Sequence, residues 1–424
     1  MEKHISVPYG EGVQSLDILD QANLKVVSMA AKGEVRDEAT LLKEALDHPI
    51  NSPSLETMVT PEDRVVIVVN DHTRPGPTRL IVAALLERLA AAGVSDDHIC
   101  FVVATGTHRA STAAEIEEIV GTKPFGRIKT ICHDCQDKDS LVFIGQSQFA
   151  DLPVYINKTV AEATFRITTG LIAPHHRAGF SGGRKSILPG VAGLETIKKN
   201  HSFPISPYDP AMGMLEGNLV HVTALETAKK VGVNFIVNSV QDPNKRNIAF
   251  VAGELEAAHA KGVELSRAVC EVAIDELADI VITSPGGYPR DRNLWQAQKA
   301  LSVAEVLVKP GGTVILVAEC RDGIGEGVFR EWLAEAATPE AVIDRYRREG
   351  FTIGGNKACM VARALTKSKV IVVSDKLSGE ELRSMHLTCV ASLAEAFALA
   401  SDGTAAPSVL VVPKAVTMIP VVKK

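Results

Sequence analysis

Short runs of consecutive aliphatic residues, mostly β-branched, alternate along this chain with longer stretches of three-to-four periodicity, and no other feature limits its fold so tightly. Val65-Val66-Ile67-Val68-Val69-Asn70 is followed by a Pro/Gly turn and then by Leu80 to Ala92, whose apolar residues recur at helical spacing. A strand that is apolar at every position has to be buried on both faces, which places helices on both sides of its sheet. The pattern recurs as strands at His98 to Thr105, Ile128 to His133, Phe165 to Ile172 and Asn234 to Val240, with helices at Thr112 to Val120 and from about Glu254 to Val272. A second series follows: strand Ala278 to Thr283, helix Asn293 to Leu307, then strands Gly312 to Ala318, Val370 to Ser374 and Ser408 to Val412. The expected fold is two α/β domains, residues 1–270 and 271–424, each a mainly parallel sheet flanked by helices. The last strand is free to pack back on the first domain, and the active site is expected in the interdomain cleft.

Composition narrows the function. With 23% charged and 46% hydrophobic residues, and 45 Lys+Arg against 51 Asp+Glu for a net charge of −6, neither extensive disorder nor a general nucleic-acid scaffold fits. Only 4% of residues are aromatic, which suits aliphatic parallel strands better than a β-sandwich. No apolar run approaches the roughly 20 residues that cross a bilayer. Seven cysteines, and an opening Met1-Glu2-Lys3-His4 unlike a secretory leader, point to a reducing, cytoplasmic setting.

Four loops carry unusual chemistry. Asn70-Asp71-His72-Thr73-Arg74-Pro75 follows a strand end, where Arg74 suits bidentate capture of a carboxylate and Asp71 could orient it. A solvated turn with a local ion pair is the plainer reading. Ala104-Thr105-Gly106-Thr107-His108-Arg109 leaves His108 at the mouth of the sheet, suited to taking and returning a proton, or simply exposed. The densest segment is Pro174-His175-His176-Arg177-Ala178-Gly179-Phe180-Ser181-Gly182-Gly183-Arg184-Lys185-Ser186, followed by Asn200-His201. Its glycines permit close approach to a phosphate or cofactor, Arg184 and Lys185 supply charge, and a lysine in such a loop can bond covalently to a cofactor. His175 and His201 bracket it as base and metal ligand. The fourth, Ser284 to Lys299, runs into a helix on which Trp295 and Lys299 share a face, with Gln296 beside them. A core tryptophan with solvated neighbours is the alternative there.

From Gly179 the P-loop spacing is right, but Arg184 stands where the second glycine belongs. A phosphate-ligand-binding kinase or triphosphatase using Gly179 to Ser186 therefore remains an alternative, as does a non-catalytic hydroxy-acid-binding protein. Cys132-His133-Asp134-Cys135 lacks the second pair of a zinc ribbon, and Gly323 to Gly327 lacks dinucleotide-loop spacing.

Taken together, the four loops resemble the lactate racemase family along essentially the whole chain, most specifically from His175 through Lys185 and at His201. The resemblance implies an isomerase, a racemase or epimerase inverting C2 of a 2-hydroxy acid, and a nickel-pincer nucleotide (nickel pyridinium-3-thioamide-5-thiocarboxylic acid mononucleotide) in the N-terminal domain. It implies that Lys185 is thioamide-linked to that cofactor, with Ser181, Gly182, Gly183 and Arg184 around it, and that His201 is the protein ligand to nickel. His108 and His175 would be the two acid/base groups. Arg74 would hold the substrate carboxylate with Asp71 beside it, and Trp295, Gln296 and Lys299 would reach across from the second domain. The implied partners are a small 2-hydroxy acid and cofactor-maturation enzymes, with no nucleic acid and no membrane. One departure concerns substrate: lactate-specific members carry a bulky aromatic near Gly354-Gly355-Asn356-Lys357-Ala358, and here Lys357-Ala358 stand instead. With Arg109, Arg177 and Arg292 adding positive charge, malate or a sugar acid is expected over lactate.

Overall fold

The Val65–Asn70 strand is the one from which the first sheet grows in both directions. In the computed structural model, which describes residues 2–19, 23–29, 36–73, 76–203, 212–404 and 406–423, that sheet has six strands. Ile99–Ala104 and then Lys129–Cys132 lie to one side, and Phe165–Ile172, Phe235–Gln241 and Asn247–Gly253 to the other. All pairings are parallel except the last, an antiparallel edge. Val65, Ile67 and Val69 enter one hydrophobic core while Val66 and Val68 enter another, because successive side chains point to opposite faces. Both faces are therefore covered, which is why the run has no polar alternation.

The chain leaves Val65–Asn70 toward Ile99–Ala104 on one side and returns beside it as Phe165–Ile172 on the other. The carboxyl ends of those three strands diverge there, the place where open α/β sheets leave a crevice.

The second sheet runs Thr388–Val390, Lys369–Val373, Val308–Val317, Ala278–Thr283, Ser408–Val412 and Asn23–Val26, every pair parallel. Contacts divide the chain into two units, one holding the described residues between 36 and 269, the other those of 2–29 and from 270 onward. This departs from a first domain of residues 1–270. The N-terminal segment joins the C-terminal unit because Asn23–Val26 pairs with Ser408–Val412 and because Ile5, Val7 and Ile18 of the preceding hairpin enter its core. An Asn-Leu-Lys-Val edge strand, exposed along most of its length, leaves little apolar pattern to read. The strand expected as the last, Ser408–Val412, lies in the second sheet between Ala278–Thr283 and Asn23–Val26 and does not join the first sheet; a further strand, Ile419–Val422, pairs with Glu271–Ile274 in the same unit.

The segment expected as one helix from Asn293 to Leu307 is Leu294–Ala297, a 3-10 turn Gln298–Ala300 and Leu301–Ala304. The tighter turn brings i,i+3 neighbours together, so Lys299 Nζ donates to Gln296 Oε1 at 2.6 Å. The shared face of Trp295 and Lys299 gives way to that pair. Among the described residues no helix is long and apolar enough to cross a membrane.

Candidate active site

At the crevice of the first sheet lies a cavity of about 320 Å³, lined by residues from all three strand ends and by His175, Lys185 and His201. Asp71 follows the first strand and is 2% exposed. Its Oδ2 lies 2.7 Å from His108 Nδ1, and its Oδ1 accepts from Thr73 Oγ1 at 2.8 Å. A carboxylate only accepts, so His108 carries its proton on Nδ1 and turns a lone pair on Nε2 outward. Asp71 was expected beside Arg74 at the substrate; its contacts make it the group that orients His108. Arg74 lies outside the described residues.

His175 is held the opposite way. The backbone N–H groups of Arg177 and Ala178 both donate to its Nδ1, each at 3.1 Å, so the neutral ring carries its proton on Nε2. That nitrogen is 3.3 Å from Lys185 Nζ, and since an ammonium cannot accept, an Nε2–H donates there only to the neutral amine, the form in which a lysine is a nucleophile. His201 stands near the end of helix Leu194–Ser202 and donates its Nδ1–H to Ile197 O at 2.9 Å. The lone pair is left on Nε2, as a metal-ligating imidazole requires. Arg177 is buried and donates to His201 O at 2.6 Å, closing the helix's last carbonyls with a cation.

Lys185 rides on the 3-10 turn Gly183–Ser186, which Gly182 and Gly183 open with φ of +76° and +52°. A Cβ at Gly182 would meet Asn238 Oδ1 at 2.5 Å, so only glycine fits. Three of the loop's N–H groups are already engaged: Ser181 donates to Ala173 O, Gly183 to Asn238 Oδ1 and Lys185 to Gly182 O. No α-helix begins until Leu194. A phosphate cradle of N–H groups leading into a helix, which the kinase or triphosphatase reading requires, is therefore not built here.

Ser181 and Gly182 line the cavity with Lys185, whereas Gly183 and Arg184 do not. Arg184 was expected at the cofactor; its guanidinium is 1% exposed and bonds loop carbonyls and His259 instead. Trp295, Gln296 and Lys299 belong to the C-terminal unit, and Trp295 Nε1 is buried there with no hydrogen-bond partner among the described residues. The three arginines expected to add positive charge are otherwise engaged. Arg109 pairs with Glu115 at 2.6 Å and Arg292 with Asp322 at 2.6 Å, both on the surface, while Arg177 is spent on carbonyls. Glu115 also caps its own helix through Thr112, which fixes Arg109 away from the sheet's mouth. His133, within the Cys132 to Cys135 segment, is buried and bonds Ala192 O, and among the described residues no group of three or more His, Cys, Asp or Glu is placed to hold a metal.

Sequence reasoning missed Thr73, Asn238 and His259. An Asn within the apolar Phe235–Gln241 strand is the only signal that stood out, since a buried amide in a central strand needs a partner.

Comparison with known proteins agrees with the geometry. Residues 9–212 match the lactate racemase N-terminal domain and residues 274–420 the lactate racemase C-terminal domain. A lactate racemase of Thermoanaerobacterium thermosaccharolyticum is 34% identical over 406 residues, covering 94% of each chain, and one of Lactiplantibacillus plantarum is 38% identical over 419, covering 96% of this chain and 97% of the relative. The structure of the lactate racemase apoprotein from T. thermosaccharolyticum superimposes with a TM-score of 0.90 at 33% identity over the whole of both chains. A Thermotoga maritima protein shares the fold alone, with a TM-score of 0.62 at 18% identity over 89% of this chain and all of the other. With both halves matched and two relatives aligned nearly end to end, this chain belongs to the lactate racemase family and is a racemase, an enzyme of the isomerase class.

Proposed function

We propose that this racemase inverts C2 of a 2-hydroxy acid by reversible hydride transfer with a nickel-pincer nucleotide attached to Lys185. One observation carries the reading: a single cavity gathers the Lys185 amine, the His201 Nε2 lone pair and two histidines held in opposite tautomers. The donor set suits such a cofactor. One imidazole cannot complete a coordination shell, so a metal at His201 takes its other ligands from a bound group. Lys185 is placed to tether that group and His201 to ligate its metal.

The α-hydrogen of a hydroxy acid carboxylate is a very weak carbon acid, and the bound nucleotide would supply the hydride acceptor that removes the difficulty. The protein's part is to move the hydroxyl proton. His108, oriented by Asp71, accepts it at Nε2 as the substrate becomes a planar 2-keto acid. His175 lines the same cavity and would return a proton on the opposite face, which requires its doubly protonated ring. Arg74 is the expected holder of the substrate carboxylate, with Trp295, Gln296 and Lys299 as further substrate-binding residues.

Lactate is the first substrate to test, since both relatives aligned here are named lactate racemases. The engagement of Arg109, Arg177 and Arg292 removes most of the argument for a second carboxylate. Lys357 keeps a polar substrate in the comparison, because it is only 7% exposed on the first turn of helix Gly355–Lys367. Seven thiols, none in a disulfide, support a cytoplasmic setting.

The deciding experiment is one preparation of protein made with its cofactor-maturation enzymes, measured for nickel, for a mass increment mapped to Lys185 and for racemisation of lactate, malate and an aldonate. Protein made without those enzymes is expected to lack all three signals. Lys185→Ala is expected to lose the adduct, and His201→Ala to lose nickel while His108→Ala retains it. An adduct on another residue, or equal nickel loss in both histidine variants, overturns the assignment.

A further inference from the structure

We propose that Arg184, His259 and Asn238 form a buried brace that positions both Lys185 and His175, so that the glycine-rich loop is shaped from beneath and not by what it binds. The inference rests on the functional reading above for what Lys185 and His175 do, but the brace itself is drawn from contacts alone.

Arg184 gathers its own loop around one cation. Its Nη2 donates to Ala178 O at 2.8 Å and Phe180 O at 2.9 Å, and its Nη1 to Gly182 O at 3.2 Å and Ser181 O at 3.4 Å. None of the described carboxylates pairs with it. A buried charge without a counterion is costly, and carbonyl dipoles are what offset it here, so those carbonyls are held where the guanidinium needs them.

His259, on helix Leu255–Cys270, completes the arrangement. Its Nε2 lies 2.7 Å from Arg184 Nη1 and 3.0 Å from Ser181 O, and its ring backs onto Gly183, where a Cβ would meet Cδ2 at 2.8 Å. Guanidinium N–H groups only donate and a carbonyl only accepts, so one Nε2 cannot serve both neighbours; at the shorter contact it accepts from Arg184, the ring is neutral, and Ser181 O takes its donor from Arg184 Nη1. Burial and the neighbouring guanidinium push its pKa down to about 3, which keeps it so. From the other side Asn238 Oδ1 accepts Gly183 N–H at 3.0 Å. The two glycines are pinned between a strand and a helix, and Lys185 follows at a fixed place.

The link to His175 runs through Ala178. Its N–H donates to His175 Nδ1 and its carbonyl accepts from Arg184 Nη2. Moving the guanidinium therefore moves the donor that sets the His175 tautomer.

The test uses the full-length protein without cofactor, treated with sulfosuccinimidyl acetate, and compares acetylation of Lys185 with that of the exposed Lys43 by peptide mass spectrometry. His259→Leu removes the acceptor and is expected to raise the Lys185 to Lys43 rate ratio at least about fivefold as the loop loosens. His259→Gln supplies an amide oxygen for Arg184 and an N–H for Ser181 O, and is expected to stay within about twofold of wild type. Arg184→Lys keeps the charge but cannot reach four carbonyls; it is expected to behave like His259→Leu and serves if that variant does not fold. A ratio unchanged in His259→Leu or Arg184→Lys, or shifted equally by Gln and Leu, overturns the brace. Because the ratio is read without cofactor, a missing Lys185 adduct in the matured wild-type protein would overturn the nickel-pincer reading and leave the brace standing.

Discussion

The two histidines of the cavity are held by opposite kinds of partner. His108 hangs from a buried side chain, the Asp71 carboxylate, while His175 is held by two backbone N–H groups of its own loop. The first arrangement leaves a lone pair facing the cavity and the second leaves an N–H. For His175 to accept a proton at Nε2, its Nδ1 must carry one, which the Arg177 and Ala178 N–H groups oppose. On the proposed mechanism, His108 would be the ring ready to take a proton, while His175 is held by the loop around it.

The strongest challenge to this comparison is removal of either ring. His108→Ala and His175→Ala are each expected to lower kcat by about 10³-fold with nickel and adduct retained, as loss of a general acid/base does. Measuring kcat from each enantiomer at saturating substrate sharpens it. A pocket with two equivalent histidines would lose kcat alike in both directions through either variant, whereas kcat/KM has to stay equal in the two directions whichever ring is removed. Next in size is Asp71→Asn, where the amide can donate to Nδ1 and reverse the His108 tautomer. A loss of roughly 10²-fold in kcat is expected, with KM little changed. Long-range proton–nitrogen spectra should place the His108 proton on Nδ1 in wild type and on Nε2 in the variant, with His175 on Nε2 in both. Finding His175 protonated on Nδ1 would remove the contrast altogether.

Acid should act on the buried histidines around Arg184. His221 and His259 are pushed from the ordinary 6.5 down to about 4 and about 3, first by burial and then by the Arg184 charge. Values lowered in the folded state mean that the unfolded chain takes up protons first. Stability from these groups is full above pH 6.5 and drains as pH falls toward 3, each fully buried ring costing roughly 2 kcal/mol between pH 7.5 and 5 and the more accessible His221 less. Denaturant unfolding at the two pH values measures it, and His259→Gln should flatten the dependence; an equal slope in that variant would detach the His175 side from its brace. The smallest effect is expected from Thr73→Ala, which removes one donor to Asp71 and should slow turnover about threefold.

Much of the site was legible because it lies at strand ends. Val65–Asn70, Phe165–Ile172, Ala278–Thr283 and Ser408–Val412 are strands where short runs rich in aliphatic and β-branched residues favour them, and the loops that follow the first two carry Asp71 and His175. Histidines and a lysine among glycines announce themselves by residue type. Direction was not legible. Arg184 and Lys185 are adjacent and equally basic, yet one lies beneath the loop and the other faces the cavity, because positive φ at Gly182 and Gly183 turns the backbone between Asn238 and His259, residues more than fifty positions away. The N-terminal segment shows the same limit, as Asn23–Val26 becomes a strand only by pairing with Ser408–Val412.

The sequence by itself determined the two mainly parallel sheets and the candidate reactive side chains, since burial on both faces and chemical type are local properties of the chain. Only the tertiary structure decided which nitrogen of each histidine carries the proton and which basic residue meets the cavity. Those depend on hydrogen-bond partners brought from distant segments, and a partner's distance along the chain carries no information about its distance in space.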